Sequence, residues 1–431
     1  MRPLAVVLHY RRTASYGLNV LLGALEQELG PDPGVALHPA SGADAALAAV
    51  TAALAGGHRV LVAWSFYSPE VTTVAAELAR FRAEAPSEDV LNVAGGVHAT
   101  AEPAATLASG FDAVVVGEGE APFVELVRSL RDGADASEVL GTTAGVVRPG
   151  PDGAVVRGEP APRHPLGRYP AFARRHGRFN PIEITRGCVY GCTFCQTPFA
   201  FKARFRHRPP GDVADHVGAL VASGRRDVRF VTPTALSYGS DDESVRLDAV
   251  EELLRATRAA AGSDGRVFFG TFPSEVRPEH VTDEALRLIR RYCDNDNLVI
   301  GGQSGSERVL AATNRGHGVA DVERAAQRCV AAGLQPNVDL LFNLPGETAE
   351  DAAATLALAR RLVALGARVH SHAFMPLPGT PLRDAPTEPL PAELRTELDR
   401  LASQGGAYGS WRRQEQVAAQ LVAIRPPRRR P

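Results

Sequence analysis

Ile184-Thr185-Arg186-Gly187-Cys188-Val189-Tyr190-Gly191-Cys192-Thr193-Phe194-Cys195-Gln196 is the stretch from which the rest of the chain is read. It holds three of the chain's five cysteines, spaced by four and then three residues. That spacing would place the thiols on one face of a helix. Gly187 and Gly191 speak against a helix, because glycine costs about 1 kcal/mol in a helix interior and instead frees backbone to wrap around a ligand. Three thiolates in one loop repel one another unless a cation gathers them. Zinc would do so with a fourth ligand such as His207. An iron–sulfur cluster normally takes four thiolates, and three would leave one iron open to an outside ligand. The other two, Cys293 and Cys329, lie in helical contexts and read as buried structural thiols. An odd count with this crowding is not a disulfide framework.

Outward from this stretch, strand and helix patterns alternate. On the C-terminal side, candidate strands stand at Ile182–Thr185, Val228–Val231, Val267–Thr271, Leu298–Gly301, Gln335–Phe342 and Val369–Phe374, each beside a helical pattern. Six βα units predict an open (βα)6 barrel, a partial TIM barrel with its chemistry at the C-terminal strand ends, over 181–381. A further amphipathic helix is expected around Ala392–Ala402, and the basic tail Arg425–Pro431 is expected to be disordered, within 382–431. On the N-terminal side, apolar runs at Leu4–Leu8, Val60–Trp64, Val90–Ala94 and Ala113–Val116 are separated by helical patterns. They predict an α/β domain of about five parallel strands, flavodoxin-like or Rossmann-like, over 1–135. Between the two, 136–180 reads as hairpin and linker, with Pro149–Gly153 as the turn.

Composition narrows the function. The 431 residues carry a formal net charge of −2, so no basic field points to nucleic acid or an anionic membrane. There is no aromatic-basic stripe for a nucleic-acid groove either. No run reaches the roughly 18 apolar residues that a membrane-spanning helix needs. Met1–His9 reads as a first strand, not a secretory leader, and the expected location is the cytoplasm.

The Cys-x3-Cys-x2-Cys pattern, with Phe194 before the last cysteine and a strand before the first, resembles the signature of the radical S-adenosylmethionine (SAM) superfamily. Three further segments extend the resemblance. They are Gly301-Gly302-Gln303-Ser304-Gly305, Asn343-Leu344-Pro345-Gly346-Glu347-Thr348 and Met375–Pro381, similar to the fourth-, fifth- and sixth-strand segments of that superfamily. The resemblance implies a [4Fe–4S] cluster held by Cys188, Cys192 and Cys195. It also implies SAM contacts from Phe194, Thr234, Gln303, Ser304 and Asn343. Two departures stand out. Gln303 occupies a place commonly held by Glu, and Thr232-Pro233-Thr234 replaces a Gly-Gly-Glu turn, which leaves the contacts to the SAM amino group open. Arg277 reads either as a bidentate partner for a carboxylate or as a surface ion pair. The implied chemistry is reductive cleavage of SAM to a 5′-deoxyadenosyl radical, with the electron supplied by a donor such as flavodoxin or ferredoxin.

In the N-terminal part, Asn92–Thr100 and Gly110–Phe123 bring glycines to strand ends about twenty residues apart. With Ser65 and Ser68, they resemble the cobalamin (B12)-binding domains fused to radical SAM barrels. The resemblance implies contacts to cobalamin from Ser65, Ser68, Gly95, Gly96, His98, Gly117, Glu118 and Gly119. The Asp-x-His-x-x-Gly motif that supplies a cobalt-ligating histidine is missing, and His9 lies in a different pattern. The implied function is methylation of an unactivated carbon of a small molecule. A rearrangement or cyclisation without methyl transfer is the alternative within the same chemistry, and a non-catalytic cobalamin or redox sensor is the alternative outside it. Methylthio transfer to RNA fits poorly, because no cysteine precedes Cys188. No catalytic side chain is assigned from the sequence.

Overall fold

The computed structural model describes residues 2–151 and 154–425. These divide into two compact units. One runs to His164 and includes Arg168–Asn180; the other comprises Pro165–Gly167 and the residues from Pro181 onward.

In the first unit, β1 (Leu4–Tyr10), β2 (Val35–Ser41), β3 (Arg59–Ser65), β4 (Val90–Gly95) and β5 (Ala113–Val115) are parallel in the order β2-β1-β3-β4-β5. This is the flavodoxin-like order. All seven residues of β1 are buried. Leu4, Val6 and Leu8 feed one core, and Ala5 and Val7 feed the other, so helices cover both faces. The edge strand β2 has no counterpart among the sequence expectations. It is half-buried and contains Pro39, which only an edge strand tolerates, so it lacks the apolar run that marked its neighbours. Beyond β5 the sheet continues antiparallel through β6 (Val146–Pro149) and β7 (Val155–Arg157). The expected hairpin therefore extends the first unit's sheet. Its turn residues Asp152 and Gly153 lie outside the described residues.

In the second unit, β8 (Ile182–Glu183) pairs with β11 (Asp227–Val231), which pairs with β12 (Arg266–Phe268), all parallel. A second parallel run is β13 (Asn297–Gln303), β14 (Gln335–Phe342), β15 (Arg368–Ala373) and β16 (Ala407–Tyr408). A single parallel bridge, Val276 to Ile300, and a hydrogen bond from Val299 N–H to the Gly270 carbonyl (2.9 Å) link the two runs. The short antiparallel pair β9 (Thr185–Arg186) and β10 (Arg206–His207) closes the cysteine loop at its base. Six strands thus form the open barrel, and β16 adds a short seventh. The expected helix is present at Ala392–Ser403, and a second, unforeseen one follows at Trp411–Ala423. The tail residues 426–431 lie outside the described residues. No helix among the described residues is long and apolar enough to cross a membrane.

Strand alternation decides what faces inward. Val338, Leu340, Val369 and Ser371 are fully buried, whereas Asn337, Asp339, His370 and His372 are only half-buried. The barrel interior is therefore polar along β14 and β15.

Candidate active site

The cysteine loop is not helical. Gly187 has φ +86°, and a Cβ there would fall 1.8 Å from the Arg204 carbonyl oxygen. Only glycine allows that close passage. Three consecutive residues after the fourth barrel strand pin the loop from outside. The Thr313 carbonyl accepts the Thr193 N–H (3.2 Å), the Asn314 amide donates to the Tyr190 carbonyl (2.7 Å), and Arg315 Nη1 stands 3.3 Å from Cys192 Sγ.

Cys188, Cys192 and Cys195 all line one cavity of about 320 Å³ in this unit, together with Tyr190, Phe194, Thr234, Glu275, Gln303, Asp339 and His372. All five cysteines are free, and Cys293 and Cys329 do not line this cavity. Burial pushes the Cys188 thiol up to about 12, helped by the neighbouring Cys192 and Cys195, and burial also pushes Cys195 up. Such thiols stay protonated until a metal takes the place of the proton.

The donor set separates zinc from a cluster. Among the described residues, the three sulfurs do not fall within 4.8 Å of one another, as ligands of one ion would. A tetrahedral zinc with bonds of about 2.3 Å holds its sulfurs roughly 3.8 Å apart. His207 is also spent elsewhere: its Nδ1 meets the Thr185 hydroxyl (2.9 Å) and its Nε2 the Ser240 carbonyl (2.7 Å). Three thiols on one cavity without His207 fit a cluster with one iron left open.

Of the SAM-contact expectations, Phe194, Thr234 and Gln303 line the cavity. Gln303 ends β13 with a left-handed backbone, φ +68°, where the ladder register slips. Ser304 and Asn343 are not among the residues that line it. The Ser304 side chain is turned into the barrel wall, where its hydroxyl meets that of Thr355 (3.1 Å) and accepts the Ser306 N–H. Asn343 donates its amide to the Glu388 carbonyl, and Glu347 accepts its backbone N–H. Arg277 is neither a surface ion pair nor an idle cation. It is 3% exposed, donates to Glu279 (2.5 Å) and lies 3.6 Å from the Tyr190 ring centroid.

Sequence reasoning missed the opposite wall. Asp339 Oδ1 stands 2.9 Å from His370 Nδ1, which stands 3.0 Å from His372 Nε2, and Asp339 to His372 is 3.8 Å. His370 stacks on Tyr408 at 4.5 Å. Burial, followed by the facing Asp339 carboxylate, pushes Glu275 upward. Burial acts on Asp339 in the same direction, but hydrogen bonds from His370 and His372 hold it below the usual carboxylate range. The signal was available: two histidines separated by one residue on a strand share a face.

In the first unit, the expected cobalamin contacts sort by position. Ser65 ends β3, Gly95 ends β4, and Gly117–Gly119 follow β5, all at the C-terminal edge where open α/β sheets take ligands. Gly96 has φ +88°, and a Cβ there would meet Ser65 Oγ at 2.8 Å, so this edge is cut back to bare backbone. Gly117 is exposed, donates its N–H to the Thr100 hydroxyl (3.0 Å) and has open space where a Cβ would be. Such a glycine cradle fits a flat macrocycle or its tail. Ser68 and His98 are held inside the unit. They are 2% and 5% exposed and bond to each other (3.0 Å), and burial pushes His98 down to about 4. His98 is thus a neutral partner of Ser68 inside the unit. Tyr67, which the sequence reading passed over, lies 46% exposed just after Ser65.

Comparisons with known proteins agree with this division. Residues 182–359 match the radical SAM superfamily, and residues 10–127 match the B12 binding domain. An uncharacterised protein of Methanopyrus kandleri is 26% identical over 340 residues, 68% of this chain and 62% of that protein. A tRNA-2-methylthio-N(6)-dimethylallyladenosine synthase of Chlorobium phaeobacteroides is 35% identical over 182 residues, 41% of this chain and 38% of its own length. The chain therefore spans less than two thirds of the length of either relative. Among solved structures, the radical SAM methyltransferase TsrM of Kitasatospora setae, with cobalamin and a [4Fe–4S] cluster bound, superposes with a TM-score of 0.67 at 21% identity. The match covers 89% of this chain and 74% of TsrM. The cobalamin-dependent radical enzyme OxsB gives 0.66 at 13% identity, covering 83% of this chain and 52% of OxsB. At these identities the likeness is one of fold.

Proposed function

Because the chain joins a B12 binding domain to a radical SAM domain, with [4Fe–4S], SAM and cobalamin as the cofactors those domains bring, we propose that it methylates an unactivated carbon of a small molecule. The observation that carries this reading is the convergence of three free thiols and a polar wall on one cavity. The cluster, when bound, supplies the electron that cleaves SAM, and cobalamin supplies a carrier for a methyl group.

The chain's own residues hold and orient. Cys188, Cys192 and Cys195 would hold the cluster, and the clamp from Thr313 to Arg315 fixes the loop that carries them. Phe194 and Leu341 give the cavity an apolar side that keeps water away from reactive species. Gln303 and Thr234 offer neutral hydrogen-bonding groups in its lining, and Asp339 with His372 offers acceptors and an N–H to a polar substrate group. Backbone at Gly95, Gly96 and Gly117 would approach cobalamin. An electron donor such as flavodoxin or ferredoxin is proposed as partner.

The methylthio-transfer reading, suggested by the tRNA-modifying relative, is weaker here because no cysteine stands before Cys188 to hold a second cluster. The test is anaerobic reconstitution with iron, sulfide and methylcobalamin, then dithionite, SAM bearing a deuterated methyl group, and candidate extracts. A product carrying the deuterated methyl group is expected. Cleaved SAM with an unlabelled, isomerised product would favour rearrangement, and uncleaved SAM would favour a sensor.

A further inference from the structure

We propose that Arg315 is the counter-ion of the cluster and sets its reduction potential through Cys192; this rests on reading Cys188, Cys192 and Cys195 as the cluster's ligands. Two buried arginines line the cavity, and their surroundings differ. Arg277 is balanced by the Glu279 carboxylate. Arg315, 4% exposed, makes no ion pair within 4.0 Å among the described residues; the Glu275 and Glu279 carboxylates act on it from farther off. Its Nη2 donates to the Gly301 carbonyl (2.6 Å), its Nη1 points at Cys192 Sγ (3.3 Å), and its Nε is buried without a partner.

A neutral carbonyl does not balance a full positive charge, and a buried cation without an anion is costly. Glu275 and Glu279 act on Arg315 only from beyond ion-pair distance, and three thiolates with a cluster would bring an anion into direct contact with it. The guanidinium is also held rigidly. Nη2 lies 3.1 Å from where a Gly301 Cβ would stand, and the Arg315 carbonyl in turn accepts from Arg277. A fixed donor to a ligand sulfur favours the more negative, reduced cluster over the oxidised one, which raises the potential. Arg315 is thus a positioning and tuning residue, not a group that touches substrate.

The test uses the full chain loaded anaerobically with iron and sulfide, without SAM. Iron content is measured first, then the midpoint potential by electron paramagnetic resonance at poised potentials. Wild type, Arg315→Lys and Arg315→Met are compared. The midpoint is expected to move negative in Arg315→Met and to lie between the two in Arg315→Lys, which keeps the charge but loses the fork. A wild-type midpoint in a fully loaded Arg315→Met protein overturns the inference. If Arg315→Met does not hold a cluster, Arg315→Lys decides: a negative shift supports tuning, and no shift overturns it. A wild-type chain that takes up no iron would instead remove the cluster reading itself.

Discussion

Gln414 donates its side-chain amide to His372 Nδ1 (3.1 Å) because its carbonyl is already committed to the Ala373 N–H (2.9 Å). The other ring nitrogen of neutral His372, Nε2, must then carry the proton. A histidine that ligates a metal through one nitrogen donates a proton from the other, so this wiring disfavours metal at the Asp339–His370–His372 group. The prediction is that wild type binds no zinc there. Gln414→Glu, which can accept from Nδ1–H and free Nε2, should take up about one zinc per chain by elemental analysis at three-ligand affinity. Zinc binding by wild type at this group would refute the tautomer.

Cluster ligation should follow the cavity and not the cysteine count. Cys188→Ala, Cys192→Ala and Cys195→Ala should each abolish the absorbance near 400 nm and most of the iron, about four per chain in wild type. Cys293→Ala and Cys329→Ala should keep both, since neither lines the cavity. Stoichiometric zinc in place of iron would sink the assignment.

Gln303 faces the cavity with neutral hydrogen-bonding groups. Gln303→Glu should leave SAM cleavage within roughly tenfold of wild type, about 1.4 kcal/mol of barrier. Gln303→Leu leaves partners unpaired and should cost more. Equal cleavage by the leucine variant would mean that Gln303 does not meet SAM.

Cobalamin retention should depend on open space at the first unit's sheet edge. A side chain at Gly96 would strike Ser65 and disturb the fold itself, so Gly117 is the better probe. Asparagine tolerates a left-handed backbone, and nothing stands within 4 Å of the new Cβ. Gly117→Asn should keep the melting behaviour of wild type yet retain about tenfold less hydroxocobalamin after desalting, roughly 1.4 kcal/mol weaker. Unchanged retention would place the corrin elsewhere.

His9 should make the first unit acid-sensitive. It is 1% exposed against Trp64 (ring centroids 4.4 Å apart), and burial, with Arg11 nearby, pushes it down to about 4. The folded state keeps it neutral while the unfolded chain protonates near 6.5, so its contribution is full above that pH and is lost as pH falls toward 4. The whole shift corresponds to about 3 kcal/mol. His9→Phe should therefore lose less stability than wild type between pH 7 and pH 5. Urea unfolding followed through Trp64 in a Trp411→Phe background measures this, and parallel losses would show that His9 does not titrate there.

The sequence by itself determined the two parallel α/β units and the thiol loop, because both are written locally. Apolar runs mark strands buried on two faces, and Gly187 and Gly191 with three closely spaced cysteines need no distant partner to be read. Its limits were also local. The edge strand Val35–Ser41 lacks an apolar run, and the helix at Trp411–Ala423 follows a short strand that forms only by pairing with β15. Only the tertiary structure decided which side chains share the cavity. Ser304 and Asn343 sit in motifs beside Gln303 and Glu347, yet their side chains are taken up by Thr355 and Glu388, while Asp339 from within β14, His372 from β15 and Arg315 from the loop after the helix Glu307–Ala312 share one cavity. Side-chain direction at a strand terminus depends on backbone twist and on partners dozens of residues away, such as Thr355 for Ser304 and Glu388 for Asn343. A linear pattern carries no record of either.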